Sequence, residues 1–181
     1  MNKIPPNSRV LIAGGGTGWY LEELLKVNKV KKVLYIESSS EMMMLSQKRI
    51  EGINHDAELE FINSPIEEVT INEKFDVIIT NYFLDLFKEA QLKIMVAKLY
   101  IHLEKNGLWL ISDFKINQNP FHKIWQKCLL KIMYLFFKFT SRVEANHLSD
   151  FRFFIEALKL KKNNSEEFFY GMIESVIYKK E

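Results

Sequence analysis

Five short apolar runs separated by stretches of helical periodicity fill the first 114 residues, and that alternation leaves few folds open. Arg9–Ala13, Lys32–Glu37, Glu58–Ile62, Phe75–Thr80 and Leu108–Phe114 each read as a buried strand. Leu21, Leu24 and Leu25 share one face of a helix after the first run. Glu41–Ile50 and Gln91–Leu103 read as two more helices, the second with a C-cap signal at Asn106-Gly107, and Ile66–Val69 reads as a short helical turn. Strands alternating with helices predict an α/β fold with a doubly wound, mostly parallel sheet, and right-handed crossovers prune the topologies further. Beyond Phe114 the pattern changes. Helical stretches are expected over about 120–140 and from Ser149 to about Leu158, then two extended runs pivoting near Tyr170-Gly171, a C-terminal antiparallel hairpin. No repeat or Gly/Ser linker divides the 181 residues, so 1–181 reads as one domain with a helical lid segment at about 119–158.

Composition narrows the setting. With 48% hydrophobic and 27% charged residues the chain can bury a core, which excludes an intrinsically disordered protein. Twenty-five basic against 23 acidic residues leave a net charge of +2, too small to argue for nucleic acid or an acidic partner. The single cysteine, Cys128, cannot pair within the chain, so a reducing compartment is the simpler expectation. Prolines at positions 5 and 6 stand where a signal peptide would be apolar. The greasiest region, Ile124–Phe139, is broken by Lys127, Lys131 and Lys138, so it should not span a bilayer. A cytoplasmic domain is expected.

In parallel sheets ligands sit beyond the carboxyl ends of the strands, where strand order reverses. After the first strand stands Gly14-Gly-Gly-Thr-Gly18, with four of the chain's seven glycines. Glycine there admits positive φ and lets a ligand approach bare main chain, with free amides of the following helix nearby. A dinucleotide fingerprint would put glycine at the sixth position, where Trp19 stands, and a Walker A loop would need Gly-Lys-Ser/Thr. The second strand ends in Glu37, 19 residues beyond Gly18. Its two acceptor oxygens match the two hydroxyls of a ribose. Together, loop and carboxylate imply a nucleoside-containing ligand.

Val10-Leu-Ile-Ala-Gly-Gly-Gly-Thr-Gly18 resembles the first motif of class I S-adenosylmethionine-dependent methyltransferases. Tyr35-Ile-Glu-Ser-Ser-Ser-Glu-Met42 is similar to their second, with Glu37, Ser39 and Met42 in the matching places. Phe61-Ile-Asn-Ser-Pro65 and Phe75-Asp-Val-Ile-Ile-Thr-Asn81 stand where that family has its later, weaker motifs. The resemblance implies a Rossmann-like fold with S-adenosylmethionine as cofactor and S-adenosylhomocysteine as its product. It implies that the loop around Ala13, Gly14, Gly15, Gly16, Thr17 and Gly18 runs beneath the methionine and ribose, and that Glu37 holds the ribose diol. Ser38 and Met42 would border the adenine, with Ser39 also among the cofactor-binding residues, Asn63, Ser64 and Pro65 would line its edge, and Thr80 and Asn81 would face the aminoacyl group. Ile12 and Ser64 replace acids that the family often carries, which implies modest affinity. The implied chemistry is in-line methyl transfer from a sulfonium, with the protein supplying position more than chemical groups. Asp85 and His147 are candidate bases, neither assigned, and no metal is expected.

The acceptor is less legible. Asn81-Tyr-Phe-Leu84 lacks the two prolines of nucleobase amino-methylating relatives, and no basic patch interleaved with aromatics argues for nucleic acid. On a helix, Lys123, Lys127, Lys131, Tyr134 and Lys138 fall in one stripe of roughly 80°, leaving a far wider apolar surface than one sheet face needs. A greasy acceptor, a homodimer contact or a peripheral membrane contact through 121–140 would cover it. About eight residues precede the first strand, whereas the resemblance implies capping helices there, so either the chain is a minimal member or a partner chain or a further segment is expected to supply cover. Phe151, Phe153 and Phe154 before the hairpin resemble ubiquinone/menaquinone-type small-molecule methyltransferases, which implies a small apolar or ring-containing acceptor. Two other readings stay open: a non-catalytic module binding the same cofactor, and an aminopropyltransferase, whose loop and following acid are similar.

Overall fold

The structure, a computed structural model, describes residues 3–115 and 151–181. The apolar runs pair edge to edge in one sheet. Strands β1 (Arg9–Ala13), β2 (Lys32–Ile36), β3 (Glu58–Ile62), β4 (Phe75–Asn81) and β5 (Leu103–Phe114) are parallel, and β6 (Leu160–Phe168) and β7 (Ile173–Lys180) add an antiparallel hairpin at one edge. The order is β3-β2-β1-β4-β5-β7-β6, so the direction of winding reverses between β1 and β4. Helices α1 (Trp19–Val27), α2 (Ser40–Ile50), α3 (Glu89–His102) and α4 (Phe151–Glu156) connect or flank the strands. This is the expected Rossmann-like doubly wound sheet with its antiparallel C-terminal pair.

Alternation along the strands splits the core in two, because successive side chains leave a strand on opposite faces. Leu11, Leu34, Ile78, Trp109, Ile111, Val176 and Tyr178 pack under α3 and α4 with Leu92, Leu99, Phe151 and Ile155. Val10, Ile12, Val33, Tyr35, Val77 and Ile79 pack on the other face under α1 with Leu21, Leu24 and Leu25.

Three expectations need correcting. Asn106-Gly107 is not a helix C-cap: α3 ends at His102 and β5 begins at the next residue. Asn106 is left-handed (φ 63°), and a Cβ on Gly107 would fall 2.8 Å from the Leu103 side chain and 3.0 Å from the Asp76 carbonyl, beside the register shift between Phe75 and Val77. The same turn chemistry that ends helices here marks a bulge inside a strand. Ile66–Val69 forms hydrogen-bonded turns (Glu68 N–H to Pro65 at 3.0 Å, Val69 N–H to Ile66 at 3.3 Å) without a helix. Strand β2 stops at Ile36, which leaves Glu37 as the first residue beyond it. The helix expected over 120–140 and most of the 119–158 lid lie outside the described residues.

Candidate functional site

The reversal between β1 and β4 places the glycine loop at the carboxyl edge of the sheet. The N–H groups of Gly14 and Gly15 donate to the Ile36 carbonyl at 2.9 and 3.2 Å, which ties the loop to the end of β2. Gly14, Gly16 and Gly18 have φ of 65°, 62° and 77°, values that side-chain-bearing residues rarely adopt. Three of the four glycines are also crowded by the protein itself. A Cβ on Gly14 would overlap the Phe83 ring, one on Gly15 the Tyr35 ring, and one on Gly18 would lie 2.6 Å from the Ser46 Cβ. Gly16 is different: nothing lies within 4 Å of its Cβ position.

Glu37 reaches this open residue. It is only 7% exposed, and its Oε2 accepts the Gly16 N–H at 2.8 Å while Oε1 accepts the Ser39 N–H at 2.8 Å. The Ser38 hydroxyl lies 3.5 Å from Oε1. A carboxylate has about four lone-pair sites, so acceptor capacity remains for a further donor. The loop is braced from below by Tyr35, whose hydroxyl donates to the Gly16 carbonyl at 2.8 Å and whose phenol is pushed well up by burial. From the side, Arg49 Nε donates to the Thr17 carbonyl at 2.9 Å and its guanidinium pairs with Glu22 at 3.1 Å.

The other expected residues divide. Asn63 stands beside Glu37, donating its side-chain amide to the Glu37 carbonyl at 2.8 Å. Ser39 caps α2 through the Met42 N–H at 3.3 Å, while its own N–H is the one that Glu37 Oε1 accepts. Ser64 turns its hydroxyl toward the Pro65 carbonyl at 3.4 Å. Asn81, half-buried, ends β4 two strands from β2, and Ala13, buried, ends β1 between them. Thr80 precedes Asn81 on β4. Its buried hydroxyl accepts the Trp109 indole N–H at 3.1 Å, so the side chain belongs to the core. Asp85 is buried on a 3-10 turn, Leu84–Leu86, with its N–H on Asp113 at 3.2 Å, and His147 lies outside the described residues. Tyr35, Phe83, Ser46 and Arg49 escaped sequence reasoning because each acts by packing on or pinning the loop from a distant element. Among the described residues no cluster of His, Cys, Asp and Glu could hold a metal, and no helix is long and apolar enough to cross a membrane.

A family model for the methyltransferase domain matches residues 10–107, which run from β1 through the glycine loop and Glu37 into β5. This chain belongs to the methyltransferase-domain family. A malonyl-[acyl-carrier protein] O-methyltransferase of Bacillus cytotoxicus is 29% identical to this methyltransferase domain over 106 residues, 59% of this chain and 35% of that protein. A carboxy-S-adenosyl-L-methionine synthase of Nautilia profundicola is 24% identical over 133 residues, 74% and 54% of the two chains. The chain thus spans between about a third and about half of the curated relatives it matches first. Among solved structures, the N-methyltransferase NodS of Bradyrhizobium japonicum in complex with S-adenosyl-L-homocysteine superposes with a TM-score of 0.70 at 12% identity, over 97% of this chain and 79% of that one. Magnesium protoporphyrin IX methyltransferase of Synechocystis with bound S-adenosylhomocysteine gives 0.70 at 16%, over 97% and 75%. These likenesses establish a shared fold. Family membership and S-adenosylmethionine as cofactor agree with the expectation drawn from the two motifs.

Proposed function

We propose that this methyltransferase domain binds S-adenosylmethionine over the Gly14–Gly18 loop and transfers its methyl group to a small apolar or ring-containing acceptor. One observation carries the donor half: the Glu37 carboxylate and the one uncrowded glycine of the loop, Gly16, are joined at 2.8 Å at the point where the sheet reverses. The fit is physical. Gly16 offers main chain with open space over its Cβ position, and Glu37 is held by two backbone amides with acceptor capacity left for a ribose diol. When bound, S-adenosylmethionine supplies a methyl group activated on a sulfonium sulfur.

The chain's own residues do the positioning. Tyr35, Phe83 and Ser46 fill the space beneath and beside Gly15, Gly14 and Gly18, so the loop is packed against the protein before any ligand arrives. That preorganisation spares ordering cost on binding, and holding reactants in place can lower a barrier by roughly 7–11 kcal/mol. The acceptor half rests on aromatic groups at the same edge. Tyr82 packs on Phe114 at 5.0 Å between ring centres, where β4 and β5 end. Ile173 pairs with Phe114, so the turn between β6 and β7 stands at this end, presenting Phe169 and Tyr170 at 71% and 74% exposure. A rim of rings suits an apolar, planar acceptor better than a charged one. A homodimer or lipophilic contact through 121–140 is part of the same reading.

Calorimetric titration with S-adenosylhomocysteine tests the donor site. Glu37→Ala should weaken binding about ten- to hundredfold, the range of a hydrogen bond to a charged group, while NAD shows no binding to the native chain. Unchanged affinity in that variant overturns the assignment. For the acceptor, a lipophilic ring compound should turn over; turnover of polar acceptors alone would remove that half.

A further inference from the structure

The crossover from β3 to β4, residues 63–74, forms no helix of its own, so its main-chain carbonyls lack the ladder that a crossover helix would give them. Three of them converge on one cation. The Lys98 ammonium of α3 donates to the carbonyls of Ile66 at 2.6 Å, Val69 at 2.8 Å and Glu67 at 3.3 Å. An ammonium has three donors and no acceptor, so this cradle uses its full capacity. One helical turn further on, His102 Nδ1 lies 3.0 Å from the Glu73 carbonyl, a second hold on the same crossover from the same face of α3. Ile66, Val69 and Ile71 share a buried cluster with Leu92, Met95 and Leu99 of that helix, so the polar holds sit on an apolar seat.

The start of the crossover holds Glu37. The carbonyl of Ile62, the last residue of β3, accepts the Glu37 N–H at 3.1 Å, and the next residue, Asn63, donates its side-chain amide to the Glu37 carbonyl at 2.8 Å. Both main-chain polar groups of Glu37 are thus fixed by residues 62 and 63, and the Lys98 cradle begins at Ile66. From the other side the Glu37 carboxylate accepts the Gly16 and Ser39 N–H groups, so the placement of its main chain decides whether those two bonds and the remaining acceptor capacity line up.

We propose that Lys98 is a positioning residue for the donor site: its ammonium fixes the 66–69 turns and, through residues 62 and 63, sets the main chain of Glu37 so that the carboxylate meets both the loop and the ligand. The effect on binding rests on the donor-site reading; the effect on the Glu37 main chain does not.

The test is a double-mutant cycle. S-adenosylhomocysteine affinity is measured by calorimetry for the native chain, Lys98→Met, Glu37→Ala and the pair, and amide exchange at Glu37 and Val69 is followed without ligand. Methionine keeps an unbranched stem and removes the three donors. Lys98→Met should weaken binding about three- to tenfold beside the native Glu37, and by less than about twofold once Glu37 is alanine, because a residue acting through the carboxylate then has nothing left to set. Exchange should quicken at Glu37, whose N–H lies on Ile62, and at Val69, whose N–H lies on Ile66. Lys93→Met, which takes one charge from an exposed position of the same helix, should leave affinity and exchange at their native values. Equal losses in both backgrounds overturn the proposal, as do a native affinity in Lys98→Met and a matching loss in Lys93→Met. Should the methionine variant not fold, the same cycle with Lys98→Arg decides. A planar guanidinium cannot aim three donors at one point as an ammonium does, so its loss should vanish once Glu37 is alanine; an unchanged affinity or a loss that persists overturns the proposal. No binding by the native chain would sink the donor-site reading instead, and exchange at Glu37 would then decide alone, unchanged protection in the variant ruling the positioning role out.

Discussion

At the scale of single residues, the four loop glycines are not equivalent, although the sequence writes them alike. Gly15→Ala should destabilise the fold by about 1–3 kcal/mol, the cost of overpacking, because Tyr35 already fills the space a methyl group would need. Gly16→Ala meets open space, so its folding cost is the left-handed backbone alone, about 1–2 kcal/mol. Yet Gly16→Ala should weaken S-adenosylhomocysteine binding at least about tenfold, since the new methyl group points where the ligand is proposed to lie. Thermal melts and calorimetry on both variants check this; equal effects on stability and binding would contradict the division. Tyr35→Phe should cost about 1 kcal/mol by removing the hydrogen bond to the Gly16 carbonyl, with the ring still in place.

Among elements, the C-terminal hairpin is pinned by one buried carboxylate. Glu174 on β7 accepts from Arg152 Nε at 2.8 Å and from Ser165 at 2.9 Å, and pairs with Lys162 at 3.2 Å, joining α4, β6 and β7. Burial pushes its carboxyl up, but the Arg152 and Ser165 hydrogen bonds and the nearby cations outweigh that and hold it at about 2. The sign follows. A lowered folded value stabilises above the ordinary carboxylate range, and that contribution is lost as pH falls from 4.5 toward about 2. Glu174→Gln should therefore cost about 3 kcal/mol near neutrality, the scale for breaking a buried pair, and its melting temperature should approach the native one in acid. A deficit that stays constant down to pH 2 would show that the charge is not the cause. The hairpin was legible as two extended runs; the convergence of Arg152, Lys162 and Lys115 on Glu174 was not, because strand register and the packing of α4 bring them together.

For the whole molecule, the 121–140 segment predicts a homodimer in solution, visible as twice the chain mass by light scattering. A monomer that also fails to bind apolar dyes would contradict it. The sequence by itself determined the strand–helix order, the sheet's parallel character, the hairpin, the glycine loop and Glu37 as its companion. Each of these is written in local periodicity or in a short motif, where neighbours along the chain are also neighbours in space. It misread Asn106-Gly107, because a bulge and a helix cap demand the same left-handed backbone, and it gave no sign that a tryptophan 29 positions away takes the Thr80 hydroxyl into the core. Only the tertiary structure decided which glycine lies open, that Tyr35 and Phe83 shape the loop, and that Asp85 and Asp113 meet. Those facts depend on which strands lie side by side and in what register, and contacts between separate segments leave no trace in either segment alone.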